Sequence, residues 1–226
     1  MSIILNIDTA SEKAHVSFGH DGVVLHCIFS ESQKEHASFL QSAVLELTKI
    51  TGIRLADIDA VAVTAGPGSY TGLRVGMASA KGLCYALKKP LIAMNTLEVL
   101  TVSAIQLFPE TDEPVLFCPM IDARRMEVFT AVYKKDLTEY MKPTALILDE
   151  LSFAKELSLS EIIFFGTGAE KWGSICNHPN AVFKTVPLVP EAMSKFSSKL
   201  FFQGLFTDLA YSEPFYLKEF QTVIEK

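Results

Sequence analysis

Residues 65–74, with the sequence AGPGSYTGLR, bring three glycines, a serine and an arginine together directly before a helical pattern. Glycine-rich turns at helix N-termini commonly bind phosphate, because free backbone N–H groups point at the ligand. The spacing fits neither phosphate motif: a P-loop needs glycines five residues apart followed by lysine, and the dinucleotide fingerprint needs glycine where Thr71 stands. Arg74 stays open as an anion contact or as a surface or interface arginine.

Nucleophilic and metal chemistry have little support in the sequence. Ser69 lies outside the G-x-S-x-G pattern and no His-Asp pair can be nominated for it, which favours a serine that only forms the turn. No two histidines are three or four residues apart, so no helix presents two imidazoles to a metal. The histidines are His15, His20, His26, His36 and His178. The first three fall in neighbouring strand-like runs that need not converge.

Two loops that follow apolar runs are stronger candidates. Asp8 and Thr9 come after the first run, and Gly166-Thr167-Gly168 comes after a later one. An aspartate in that place commonly faces the ligand cleft of nucleotide-handling α/β proteins, where it orders a water or a metal near a phosphate. An Asx turn that closes the strand explains it equally well. The two loops predict a residual nucleotide cleft formed by Asp8, Thr9, Gly166 and Gly168.

The elements that must position these loops alternate between strands and helices. Strands are predicted over residues 3–7, 14–18, 22–29, 60–64, 91–94, 115–122, 127–133, 145–148, 162–165 and 181–186. Helices are predicted over residues 34–52, 71–87, 96–107, 151–157, 170–176 and 193–209, and residues 213–218 form an extended tail. The same order of strands and helices occurs twice along the chain, which predicts two similar α/β halves, residues 1–108 and 109–226. The C-terminal helix is free to pack back on the first half.

The second helix carries small residues at every fourth position, on one face. They are Gly72, Gly76, Ala80 and Cys84. Two glycines inside a helix cost about 1 kcal/mol each relative to alanine, and close approach of another backbone is the usual reason. That backbone belongs either to the chain's own sheet or to a partner.

Composition narrows the function classes. The net charge is −6, and the cations are scattered with no run longer than a pair, so the chain alone is a poor nucleic-acid binder. A subunit that shares a nucleic acid with a more basic partner stays open. The four cysteines show no CxxC spacing, which favours reduced, buried thiols in a cytosolic protein. No leader or apolar run of 18 residues occurs, so we expect neither export nor a membrane span.

Five segments, in order, resemble the bacterial TsaB (YeaZ) family. They are IDTA, AGPGSYTGLRVGMASAKGL, MIDARRMEVFTAVY, FFGTGAEKW and EPFYLKEF. The likeness covers almost the whole chain. Mild departures from the family pattern are Ala10, Ala65, Tyr70 and Lys218. Lys218 replaces an arginine, which argues against a bidentate role for this position.

The resemblance implies a two-lobed fold of the actin, sugar-kinase and Hsp70 type (ASKHA), with two RNase H-like lobes. It also implies a cytoplasmic role in making threonylcarbamoyladenosine on tRNA beside the anticodon, with a TsaD-like catalytic subunit and a TsaE-like ATPase. TsaD-like proteins carry a metal-binding His-x-x-x-His helix, and here Thr96 and Leu100 stand in place of those histidines. The resemblance therefore implies a subunit without catalytic or metal-binding residues, whose complex uses ATP and metal through its partners.

The first two helices are the partner surface that the resemblance implies, for TsaD or, in its absence, for a second copy of the chain. Candidate interface residues are Ala37, Leu40, Val44, Gly72, Leu73, Val75, Gly76, Met77, Ala80 and Leu83. Packing of the small residues on the chain's own sheet is the alternative. For function, the alternative is an ATPase or phosphotransferase of the same fold that uses Asp8. A peptidase is not favoured, because both the metal ligands and a recognisable nucleophile are missing.

Overall fold

The computed structural model describes residues 1–11, 13–30, 36–109, 115–187 and 189–218. The strands are β1 Ile3–Asp8, β2 His15–His20, β3 Val23–Phe29, β4 Ala60–Gly66, β5 Leu91–Asn95, β6 Val115–Asp122, β7 Glu127–Tyr133, β8 Glu139–Ile147, β9 Glu161–Phe165 and β10 Ala181–Phe183. The helices are α1 His36–Thr51, α2 Tyr70–Leu87, α3 Thr96–Leu107, α4 Ala154–Leu157, α5 Ala169–Gly173 and α6 Pro190–Phe202. None of the helices described is both long and apolar enough to cross a bilayer.

The two sheets have the same strand order. The first is β3-β2-β1-β4-β5, and the second, written from its other edge, is β8-β7-β6-β9-β10. In each sheet the central strand pairs antiparallel with the next strand in sequence and parallel with the fourth. The repeat predicted from the pattern of elements is therefore a repeat of topology, and each half is an RNase H-like unit.

Alternation along β1 separates the two faces of the first sheet. Leu5 and Ile7 join a core with residues of α1 and α2. Ile4 faces the opposite side, where it packs with Val99 of α3 and Met193 of α6. The C-terminal helix thus packs on the first sheet, although it follows the second sheet in sequence.

The boundaries of α6 differ from the prediction at both ends. The helix begins at Pro190, because proline fits the first turn, where its missing N–H costs nothing. It ends at Phe202, and Gly204 follows with a φ of 68°. A left-handed glycine ends a helix, so the predicted continuation to residue 209 is wrong. Residues 34 and 35 of the first predicted helix lie outside the described residues.

The segment after α6 runs back along the first lobe. Thr207 forms an antiparallel bridge with Leu91 at the edge of β5. Lys81 Nζ donates hydrogen bonds to the carbonyl oxygens of Ala210 and Ser212, at 3.2 and 2.8 Å. These contacts bring the tail to the glycine-rich loop that precedes α2.

Candidate ligand cleft and partner surface

A cleft of about 1730 Å³ lies between the two lobes. The first lobe contributes the loop after β1, the loop before α2 and one side of α3. The second lobe contributes the end of β6, the start of α5 and residues 183–186. The carboxyl ends of β1, β4, β6 and β9 thus meet around one space, which is where α/β sheets commonly bind ligands.

Asp8 lies at the end of β1 and lines this cleft, with only 3 % of its surface exposed. Its Oδ1 accepts hydrogen bonds from the Ala10 amide at 2.9 Å and from the Thr64 hydroxyl at 2.8 Å. The Asx turn is therefore present, and it holds the carboxylate at the cleft wall. Asp8 therefore both forms the Asx turn and faces the cleft.

His15 is a cleft residue that the sequence interpretation missed. It is 1 % exposed, and its Nδ1 lies 3.9 Å from Asp8 Oδ2. Burial lowers the pKa of His15, although Asp8 and Glu191 act in the opposite direction. The signal was in the hairpin: antiparallel pairing of β1 with β2 places Asp8 directly opposite His15.

Thr9 and Gly168 do not line the cleft, which corrects two of the four predicted positions. Thr9 points to the other face of the sheet, where its hydroxyl donates to the Gly72 carbonyl at 2.8 Å. A side chain at Gly168 would collide with Val128, so this glycine is needed for packing inside the second lobe. Asp8 and Gly166 do line the cleft.

The glycine-rich loop is shaped by contacts within the chain. The Gly66-Pro67 peptide bond is cis, and the Ser69 amide donates to the Ala10 carbonyl at 2.7 Å. A side chain at Gly68 would meet that same carbonyl. Ser69 Oγ accepts from the Gly72 amide at 3.3 Å as the N-cap of α2, so the serine forms the turn as expected.

Thr96 and Leu100 both line the cleft on α3. They occupy the same helix face, four residues apart, as the spacing of paired histidines requires. Neither side chain suits a transition metal. In the part of the chain that the structure describes, no three His, Cys, Asp or Glu residues come together as a metal site.

The small-residue face of α2 packs inside its own lobe, which corrects the interface assignment for that face. Buried α2 residues are Gly72, Leu73, Gly76, Met77, Ala80 and Cys84. A side chain at Gly76 would collide with Thr9, and Val63 of β4 lies just beyond it. Close approach of the chain's own sheet is therefore what requires this glycine.

The remaining predicted interface residues are also wholly or partly covered. Leu40 and Val44 of α1 are buried, and Val75 and Leu83 of α2 are half-buried against the same core. The side chain of Ala37 lies outside the described part of the chain. The side of the helix pair that faces solvent instead carries Leu45 of α1.

Arg74 contacts aromatic side chains within the chain. Its guanidinium lies 4.1 Å from the centre of the Tyr70 ring, and its Nε donates to the Tyr216 hydroxyl at 3.1 Å. The Phe215 amide donates to the Ala65 carbonyl at 2.7 Å, which holds the tail on the glycine-rich loop. Arg74 was open as an anion contact or as a surface or interface arginine. The structure shows a surface arginine that contacts the chain's own tail.

Known proteins share this architecture. A family model described as TsaD, tRNA N6-adenosine threonylcarbamoyltransferase, matches residues 2–204. The solved structure of YeaZ from Pseudomonas aeruginosa is 25% identical, with a TM-score of 0.77 over 96% of this chain and 100% of that one. The polyphosphate/ATP-glucomannokinase of Arthrobacter sp. strain KM, at 11% identity, superposes with a TM-score of 0.52 over 88% and 99%. The molecule is a two-lobed α/β protein of the actin, sugar-kinase and Hsp70 class.

A curated relative specifies the family within that class. The tRNA threonylcarbamoyladenosine biosynthesis protein TsaB of Escherichia coli (strain K12) is 30% identical over 222 residues, which are 95% of this chain and 94% of the relative. The chain belongs to the TsaB (YeaZ) family.

Proposed function

We propose that this chain is a non-catalytic partner subunit that binds and activates a TsaD-type enzyme during formation of threonylcarbamoyladenosine on tRNA, next to the anticodon. The biosynthesis of this nucleoside is in the name of the E. coli relative. The observation that carries the proposal for this chain is an exposed face of α2 with small residues and, at Gly82, open space around the backbone.

Gly82 is the central residue of that face. It is exposed in the middle of α2, and a methyl group in its place would contact nothing within 4 Å. Glycine there costs about 1 kcal/mol relative to alanine. Ala78 is exposed one turn earlier. A partner helix that approaches this face closely would explain why both residues are small.

Large apolar side chains are also exposed on α1 and α2. Tyr85 is 81 % exposed on α2, and Leu45 and Ile50 are 57 % and 53 % exposed on α1. Exposed aromatic and aliphatic side chains of this kind act as anchors in protein interfaces. We call Leu45, Ile50, Ala78, Gly82 and Tyr85 the outer face. It binds TsaD, and in the absence of TsaD it pairs with a second copy of the chain.

The chemistry of the reaction comes from the partners. Threonine and leucine at positions 96 and 100 provide no metal ligand, so the TsaD-type subunit holds the metal. ATP is used by the partners, which are that enzyme and a TsaE-type ATPase. The net charge of −6 argues that tRNA is held by the complex. The whole reaction takes place in the cytoplasm.

Reconstitution tests the proposal directly. The chain is combined with its own TsaD, TsaE and threonylcarbamoyl-adenylate synthase, and modified nucleoside is measured with and without it. We expect the yield of modified nucleoside to depend on the presence of the chain. The chain alone should give no modified nucleoside. Unchanged yield after omission, or transfer by the isolated chain, would refute the proposal.

A Gly82→Trp variant tests the outer face. The side chain has open space in the monomer, so the fold should survive, but TsaD binding and self-pairing should fall at least tenfold. Ala154→Trp is the matched control, because Ala154 is exposed on α4 in the second lobe. Equal TsaD affinity of the two variants by calorimetry would exclude this face as the binding surface.

An ATPase or phosphotransferase is the second candidate function, because the Asp8 carboxylate lines a cleft between the lobes. Calorimetric titration with ATP and hydrolysis assays on wild type and Asp8→Asn separate the two functions. Tight ATP binding with turnover that Asp8→Asn abolishes would favour the enzyme. The partner subunit predicts no turnover in either protein.

A further inference from the structure

The turn between β6 and β7 holds two adjacent arginines in an unusual backbone conformation. Arg124 has a φ of 68° and Arg125 a φ of 49°, and among the described non-glycine residues with positive φ they are the only consecutive pair. The left-handed region favours glycine and asparagine, because a longer side chain is crowded there. Strained residues of this kind concentrate at ligand clamps and other functional sites. The strain therefore indicates that the arginine side chains themselves have a function.

A hydrogen-bond network of the second lobe holds this turn in place. Lys171 Nζ donates to the carbonyl oxygens of Arg125 and Glu127, at 2.8 and 2.6 Å. The same Nζ donates to Asp122 Oδ1 at 2.8 Å, and this carboxylate oxygen also accepts from the Arg124 amide at 2.6 Å. The backbone of the turn is thus fixed in the free chain. A ligand of the two arginines would not have to order that backbone, which favours binding.

The two guanidinium groups are accessible and have no counter-charge among the described residues. Both arginines are exposed, and the ion pairs of the described chain include neither of them. The acidic residue that precedes the turn, Asp122, is already paired with Lys171. Arg124 lies at the edge of the interlobe cleft, whereas Arg125 is not among the residues that line it. The turn therefore presents two free cations at the surface of the second lobe.

Guanidinium groups bind phosphate oxygens through paired, charge-assisted hydrogen bonds. We propose that Arg124 and Arg125 contact backbone phosphates of the tRNA substrate within the complex. This inference rests on the proposed function, which brings that RNA to the partner subunit. The outer face proposed for TsaD belongs to the first lobe and the turn to the second, so we assign RNA to the turn. Two phosphate contacts are too few to hold RNA alone, in keeping with the net charge of −6.

The experiment measures binding of the tRNA substrate to the complex of the full-length chain with its TsaD, at several salt concentrations. The variant is Arg124→Asn/Arg125→Asn. Asparagine adopts positive φ more readily than arginine, so the urea midpoint of the variant should not fall below that of wild type. Its tRNA affinity should fall at least fivefold. The slope of log K against log salt should become shallower by about 1 for each arginine removed.

Two further variants separate the turn from net charge. Lys142→Gln/Lys155→Gln removes two exposed cations from the same lobe and changes the net charge equally. Its tRNA affinity should stay within about twofold of wild type, as expected for cations that touch no phosphate. Arg124→Lys/Arg125→Lys keeps both charges and should retain most of the salt dependence, with part of the affinity lost because lysine cannot bind in a bidentate manner. Equal losses in the asparagine and glutamine variants would overturn the proposal.

Calorimetry of TsaD binding without RNA distinguishes this inference from the proposed function. Wild type and the asparagine variant should bind TsaD equally. If wild type forms no complex with TsaD, the proposed function is refuted and this inference with it. If the complex forms and the asparagine variant binds tRNA as tightly as wild type, only this inference is wrong. Weaker TsaD binding by the asparagine variant would mean that the turn contacts the protein, which would also overturn it.

Discussion

The Thr9 hydroxyl donates a 2.8 Å hydrogen bond to the Gly72 carbonyl, which joins the loop after β1 to the first turn of α2. The same hydroxyl occupies the place that a side chain at residue 76 would need. One buried threonine therefore anchors the first turn of α2 and explains why residue 76 is a glycine. The inner face of α2, which carries Gly72, Gly76 and Ala80, is shaped by its own lobe, and the outer face is the one that we propose for the partner.

Alanine substitutions at two glycines of α2 should have opposite effects. Gly76→Ala places a methyl group against Thr9 and should lower the free energy of unfolding by about 1–3 kcal/mol, as overpacking does. Gly82→Ala adds a methyl group in open space and should raise it by about 1 kcal/mol through helix propensity alone. Urea unfolding measures both values. Similar changes at the two sites would contradict this account of the inner and outer faces.

The helix itself was predictable from the sequence, but the neighbour of its small residues was not. A four-residue spacing places Gly72, Gly76 and Ala80 on one face, and it contains no information about which backbone covers that face. Thr9 covers it, more than sixty residues earlier in the chain. The exposed pair Ala78 and Gly82 has the same spacing on the opposite side, so periodicity alone could not separate the inner face from the outer face.

The contact of the tail with the glycine-rich loop should depend on the Tyr216 ring more than on its hydroxyl. The ring centre lies 5.3 Å from that of Tyr70, and the hydroxyl accepts from Arg74 at 3.1 Å. Tyr216→Ala removes both contacts and should speed proteolysis of the tail several-fold, whereas Tyr216→Phe should have a smaller effect. Mass spectrometry of timed digests measures the rates. Equal rates for the two variants would show that the ring contact is unimportant.

Lys218 extends the tail to the second lobe, where its Nζ lies 3.0 and 2.9 Å from the two carboxylate oxygens of Glu127. The lysine is 48 % exposed, so the pair should contribute no more than about 1 kcal/mol. Lys218→Ala should therefore change the urea midpoint only slightly, and this small effect should disappear in 1 M salt. A loss well above 1 kcal/mol, or one that salt leaves unchanged, would contradict the assignment.

The candidate site was predictable only in part, for a reason that lies in strand register. Asp8 stood out because it follows a strand, but His15 is visible as its neighbour only when β1 and β2 are paired residue by residue. A shift of one residue would place His15 on the opposite face of the sheet. Gly168 shows the converse, since its motif indicated a ligand loop while its backbone packs against Val128.

The four cysteines should react with iodoacetamide in the order of their exposure. All four are free thiols, of which Cys84 and Cys118 are buried. Burial raises the pKa of Cys84 to about 11 and that of Cys27 to about 12, which suppresses the reactive thiolate. In native protein at pH 8, Cys176 should be alkylated first and Cys118 last. Peptide mapping checks the order, and early labelling of Cys118 would be inconsistent with its burial.

Between pH 7 and 5 the free energy of unfolding should fall, because of His15. Burial lowers the pKa of this histidine in the folded chain, while the unfolded value is about 6.5. Below that value the unfolded chain binds the proton more readily, so stability decreases as pH falls and levels off only below the folded pKa. His15→Asn removes the titrating group and should flatten the slope, as measured by urea unfolding at each pH.

Other titrating groups do not obscure the effect of His15 on stability between pH 7 and 5. Lys171 lowers the pKa of Asp122, so that carboxylate contributes stability that is lost only below about pH 4. Burial raises the pKa of Glu98, which therefore makes stability fall as pH rises, the opposite sign to His15. Both contributions are present in wild type and in His15→Asn, so they cancel in the difference between the two curves. Superimposable curves from pH 7 to 5 would show that the buried histidine does not control this part of the profile.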